Sequence, residues 1–188
     1  MTLTSALPWF LPGLAATTAI ALAVAGRVAR RLHTATWIAF LLVMSVGIVL
    51  AATIPPDGGG FSHDPSAPGE CDFGRIGLAP FSHYVRLGET SLNAALFVPL
   101  GLALGLQSRP KAATGVFVAA LGIPLAIEAA QWLVPMLGRG CQSQDVVDNL
   151  VGLGIGAALG VSASVVRVIW VRRSSFRGGR RGGPRRLQ

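Results

Sequence analysis

Acidic side chains are scarce: eight Asp and Glu stand among 188 residues, against sixteen Lys and Arg. Charge of either sign makes up 13% of the chain, about half the roughly 25% usual in a soluble domain, while 52% is hydrophobic. With a mean hydropathy of +0.58, this composition excludes an ordinary soluble domain and implies a polytopic membrane protein. Other absences narrow the reading. No basic residue precedes the first apolar run, MTLTSALPWFLPGLAATTAIALAVAG, and several follow it. A secretory signal has the reverse order, so this run is expected to be a retained helix inserted N-terminus out. No histidine pair has metal-ligand spacing, since His63 and His83 share a loop and His33 stands far away. No Ser, Cys or His nucleophile arrangement is visible, and no inverted repeat of the kind found in carriers. Gly152-x-Gly154-x-Gly156 has no strand before it, so it is not a phosphate loop.

What is present is a series of apolar runs. Spans are expected at Trp9–Ala25, Trp37–Ile54, Thr90–Gln107, Ala113–Val134 and Val146–Val171. Crossing the hydrocarbon core takes about 20 apolar residues, with a range of roughly 17–25. The third run is short, and Pro99 within it should kink it. Gly101 with Gly105, and Gly152 with Gly156 and Gly160, give small-xxx-small faces for close helix packing. The expected fold is an all-α, five-span helix bundle, residues 1–171, with an external loop at 55–89 and a disordered basic tail at 172–188.

Charge sets the expected orientation. Thirteen of the sixteen basic residues fall on one side, leaving Arg75, Arg86 and Arg139 opposite. The positive-inside rule makes the basic side cytoplasmic, with the N-terminus outside and the C-terminus inside. The tail RRSSFRGGRRGGPRRLQ then lies on an anionic leaflet; RNA binding explains it less simply, and no nucleic-acid partner is expected. In the external loop, the Gly- and Pro-rich first half cannot form a regular element. Ile76–Leu87 suits either a short interfacial or re-entrant segment or an ordinary loop with apolar anchors. Cys71 and Cys141 fall in two external loops, where a disulfide is expected; two free thiols out of reach of each other are the alternative.

The informative stretch is Ala112–Gly160. Glu128 and Gln131 share a face of the fourth span, and Asp145, Asp148 and Asn149 share a face at the start of the fifth. Glu128 lies roughly 9 Å below the end of its span at 1.5 Å rise per residue. Asn93 stands near the same depth, with Arg139 in the loop above. An Asp at a helix centre costs about 2.5–3.5 kcal/mol on insertion scales, so such a cluster signals function. Four readings are open. It may be read as a polar network gluing spans together, as a pocket for a headgroup or envelope precursor, as an intramembrane enzyme with Glu128 as acid or base, or as a small proton-coupled transporter. The pocket is preferred. Arg139 would meet a phosphate or carboxylate, and Glu128 with Asp148 an amine or hydroxyl. A hard cation on Glu128, Asp145 and Asp148 is conceivable, but no metal or cofactor is the default.

Asn93-x-x-x-Phe97-x-Pro99-x-Gly101, Glu128-x-x-Gln131, Arg139 and Asp145-x-x-Asp148-Asn149-x-x-Gly152-x-x-x-Gly156 together resemble the VanZ-like family. The resemblance covers about the last hundred residues before the tail. It implies a small integral protein of the bacterial plasma membrane, multi-pass. The founding member is associated with resistance to the glycopeptide teicoplanin, and most members have no assigned activity. The partners it suggests are membrane lipids and a cell-wall precursor or glycopeptide-related ligand.

Overall fold

The computed structural model describes residues 8–56, 71–107 and 110–179. Within them are six α-helices: α1 (Phe10–Leu32), α2 (Thr36–Thr53), α3 (Phe81–Val85), α4 (Glu89–Gly105), α5 (Pro110–Leu133) and α6 (Ser143–Gly179). Two short strands, β1 (Cys71–Asp72) and β2 (Cys141–Gln142), pair in parallel, with Cys71 opposite Cys141. The architecture is the expected all-α bundle. Four helices are long and apolar enough to cross a membrane: α1, α2, α5 from Thr114, and α6 to Trp170.

The helix ends differ from the expected spans in three places. α1 continues seven residues past Ala25, because Arg27, Arg30 and Arg31 are good helix formers and nothing breaks the helix before the left-handed His33. α4 stops at Gly105, so Leu106 and Gln107 do not extend it. Its 17 residues reach only about 26 Å at 1.5 Å per residue, short of a bilayer core of about 30 Å. Neighbouring helices cover it: Phe97, Leu100 and Ala103 are fully or almost fully buried, in a core shared with Leu42, Val49, Ile127 and Leu153. α6 runs on to Gly179, which corrects the boundary placed at residue 172 for a disordered tail. Beyond Gly160, no glycine or proline interrupts the helix before Gly178-Gly179. Residues 180–188, and most of the Gly/Pro-rich first half of the long loop, lie outside the described residues.

Glycine decides how the helices meet. A Cβ at Gly152 would strike the carbonyl of Ala94; at Gly156, that of Val98; at Gly101, that of Leu153. Gly105 and Gly160 face each other lower down the same seam. α4 and α6 therefore run parallel with their backbones in contact, which fits a small-residue interface in apolar surroundings. α1 and α2 form a hairpin by a related device, with Thr17 filling the space a Cβ would take at Gly47 and Ala51 approaching Gly13.

The outside of the bundle is apolar. Leu22, Val118, Leu125 and Val166 are all well exposed, as suits a lipid-facing surface. All four tryptophans are more than half exposed; three sit at helix ends, and Trp170 marks the end of the apolar part of α6. Trp9 and Trp132 mark the end that carries the cysteines, while Trp37 and Trp170 mark the basic end. This is the distribution of interfacial aromatic belts.

The seam predicts an asymmetry within α6. Gly152→Ala should lower stability in detergent by about 1–3 kcal/mol, the usual cost of overpacking. Gly154→Ala, whose added methyl meets nothing within 4 Å, should be neutral or stabilising. Unfolding curves for the two variants would check this, and equal losses would contradict the seam.

Candidate polar site at the cysteine end

The site grows from the short β-bridge. Cys71 and Cys141 are joined in a disulfide, with Cα atoms 4.5 Å apart and a sequence separation of 70. Closing a loop of that length contributes up to about 4 kcal/mol in the chain-entropy account. It also holds residues 71–77 beside the start of α6. The Ser143 hydroxyl donates to the Arg75 carbonyl at 2.7 Å. The Arg75 guanidinium, so placed, donates through Nη2 to Asp148 Oδ2 at 2.7 Å and through Nη1 to the Gly77 carbonyl at 2.6 Å. The Tyr84 hydroxyl, on α3, donates to Asp148 Oδ1 at 2.9 Å and accepts the Ala79 N–H at 3.4 Å. Both oxygens of Asp148 are thus satisfied, although its side chain is only 1% exposed. Partial desolvation lowers the Arg75 pKa. The hydrogen bond and charge of Asp148, with a contribution from Tyr84, more than offset it, so the guanidinium is held more firmly protonated than usual.

The other expected site residues gather at the same end but take different partners. Glu128, buried on α5, accepts the Gln142 N–H at 2.6 Å and so ties α5 to β2. Asp145 is hydrogen-bonded to Asn93 on α4. Gln131 donates through Nε2 to the Thr53 carbonyl at 3.2 Å, and Arg139 through Nε to the Pro55 carbonyl at 3.1 Å. These two grip the C-terminal end of α2, where carbonyls lack helical partners and a cation is favoured. Asn149 is 3% exposed and its Oδ1 has no partner among the described residues; the same holds for Oε1 of Gln131, which is 6% exposed.

The structure bears on two of the readings of this cluster. Asp148 does not pair with Glu128 to meet an amine, because Arg75 and Tyr84 occupy it. Glu128, Asp145 and Asp148 do not form a metal-ligating group, and none exists among the described residues. The physical reason is that each carboxylate faces a different neighbouring element. Sequence reasoning missed Arg75 and Tyr84 as site residues. The available signals were that Arg75 is one of three basic residues on the acidic side and that Tyr84 is the only tyrosine.

The segment carrying these two residues fits the interfacial alternative. Phe73, Ile76, Leu78, Phe81 and Leu87 are all at least two-thirds exposed around α3.

The ion pair predicts unequal losses. Arg75→Ala strands a buried carboxylate and should cost about 3–5 kcal/mol of stability. Asp148→Asn should cost less, because Arg75, with its side chain 25% exposed, can turn toward water. The double variant should recover part of the loss. Unfolding of the three proteins in detergent would measure this, and equal single losses would contradict it.

The family model described as VanZ/LLP1 matches residues 37–165 of the chain. The match begins at α2 and runs through most of α6, so it includes every residue of the polar site and leaves out α1. No curated protein and no solved structure matches the chain.

Proposed function

Because the chain belongs to the VanZ-like family of membrane proteins, we propose that its polar junction binds a donor-bearing group of a lipid-linked or cell-surface component of the bacterial envelope. The observation that carries this reading is the pair of unpartnered acceptors, Gln131 Oε1 and Asn149 Oδ1, each on a side chain more than nine-tenths buried. Leaving such an acceptor unpaired costs about 1–3 kcal/mol. Gln131 shares a helix face with Glu128, and Asn149 shares one with Asp145. An ammonium or hydroxyl group entering between those faces would meet acceptors and carboxylates. Arg75 is already committed to Asp148. The family's founding phenotype, altered susceptibility to teicoplanin, follows as the phenotype to test, with the plasma membrane as the setting and the cysteine end outward.

A second reading has its own support. Glu128, Asp145 and Asp148 all have partners within the chain. That favours a structural clamp that fastens α2, α4, α5 and α6 at one end. Transmembrane hydrogen bonds contribute only about 0.6 kcal/mol each on average, so the clamp explains the partnered groups better than the unpartnered ones.

Asn149→Leu separates the two. It removes an unsatisfied acceptor, so stability should hold or rise by about 1 kcal/mol. The protection from teicoplanin given to a sensitive host should nevertheless fall to the level of a Glu128→Ala variant at matched membrane abundance. Loss of stability with protection retained would leave only the clamp. No protection from the wild-type protein would remove the teicoplanin phenotype from the proposal.

A further inference from the structure

The opposite, basic end carries a feature that the polar site does not use. A groove of about 840 Å³ opens there between α2, α4 and α6, walled by Trp37, Leu106, Val165 and Val168. A second, of about 410 Å³, lies between α4, α5 and α6 and is walled by Leu104, Phe117 and Val161. Gln107 lines both. Its amide nitrogen and its carbonyl oxygen are both buried, and neither has a hydrogen-bond partner among the described residues. Arg167 stands exposed on the wall of the larger groove and forms no ion pair among the described residues. Among the described residues, no acidic residue lies at this end. The grooves thus offer apolar walls, one amide that can both donate and accept, and a cation with no described carboxylate beside it.

We propose that these grooves seat one anionic phospholipid of the leaflet on the basic side, its phosphate at Arg167 and Gln107 and its acyl chain along the apolar walls. The chemistry fits each part. The guanidinium and the amide N–H donate to phosphate oxygens. The amide oxygen accepts from a headgroup hydroxyl. A hydrocarbon chain covers the walls that flank the α4–α6 seam. A zwitterionic lipid presents the same phosphate but carries a compensating cation, which Arg167 repels. The seat is independent of whatever binds at the cysteine end.

The full-length protein, reconstituted in vesicles of phosphatidylglycerol and phosphatidylcholine in equal amounts and then extracted into mild detergent, would be examined by native mass spectrometry. One retained phosphatidylglycerol is expected. Arg167→Gln, at an exposed position, should weaken its retention about fivefold, the equivalent of about 1 kcal/mol per surface cation. Ala163→Trp, which fills the larger groove without changing charge, should abolish retention, and Arg86→Gln at the other end should leave it unchanged. Equal retention of the two lipids, or retention unaffected by Arg167→Gln, would overturn the proposal and leave only non-selective boundary lipid.

Discussion

Backbone contact between α4 and α6 is the constraint on which the rest of this bundle depends. Lipid tails are as apolar as Leu or Val, so there is little hydrophobic gain in bringing two such helices together. Close approach must come from shape. Gly152 against Ala94, Gly156 against Val98 and Gly101 against Leu153 bring the two backbones together in parallel. The register of that seam fixes the depth of everything attached to it. It brings the first turns of α6, with Asp145, Asp148 and Asn149, beside Asn93 at the start of α4. It also lets α4, too short to span a bilayer by itself, serve as a covered core helix.

A buried carboxylate at that depth needs partners, and the loop before α3 delivers them. The disulfide and the β1–β2 bridge fasten residues 71 and 72 to the start of α6. Arg75 and Tyr84 can then both reach Asp148. Covalent tether, ion pair and short helix make one assembly, since the Arg75 guanidinium could not be held against Asp148 by a free loop without a larger entropic cost. Glu128 extends the assembly to α5 through the Gln142 N–H, and Gln131 with Arg139 extends it to the end of α2. The cysteine end is therefore a cross-braced cap. Two acceptors within it, on Gln131 and Asn149, have no hydrogen-bond partner among the described residues.

The two ends divide the chemistry. Acceptors and carboxylates concentrate at the cysteine end; cations and an unpartnered amide concentrate at the other. On the two proposals made above, a donor-bearing group would sit at the first end and an anionic lipid at the second.

Sequence alone determined the membrane character and the all-α class, because hydropathy, span length and helical spacing are local properties. Glu128 with Gln131, and Asp145 with Asp148 and Asn149, were legible as shared faces for that reason, and the glycine spacing was legible as a packing surface. Partner choice was not legible. Arg75 meets Asp148 across 73 residues and Tyr84 meets it across 64, and nothing in either segment announces the other. The commitment of Arg139 to the end of α2, the separation of the three carboxylates onto different partners, and the paired grooves at Gln107 all depend on which helix faces come into register. That register is set by long-range backbone contact, which only the tertiary structure decides.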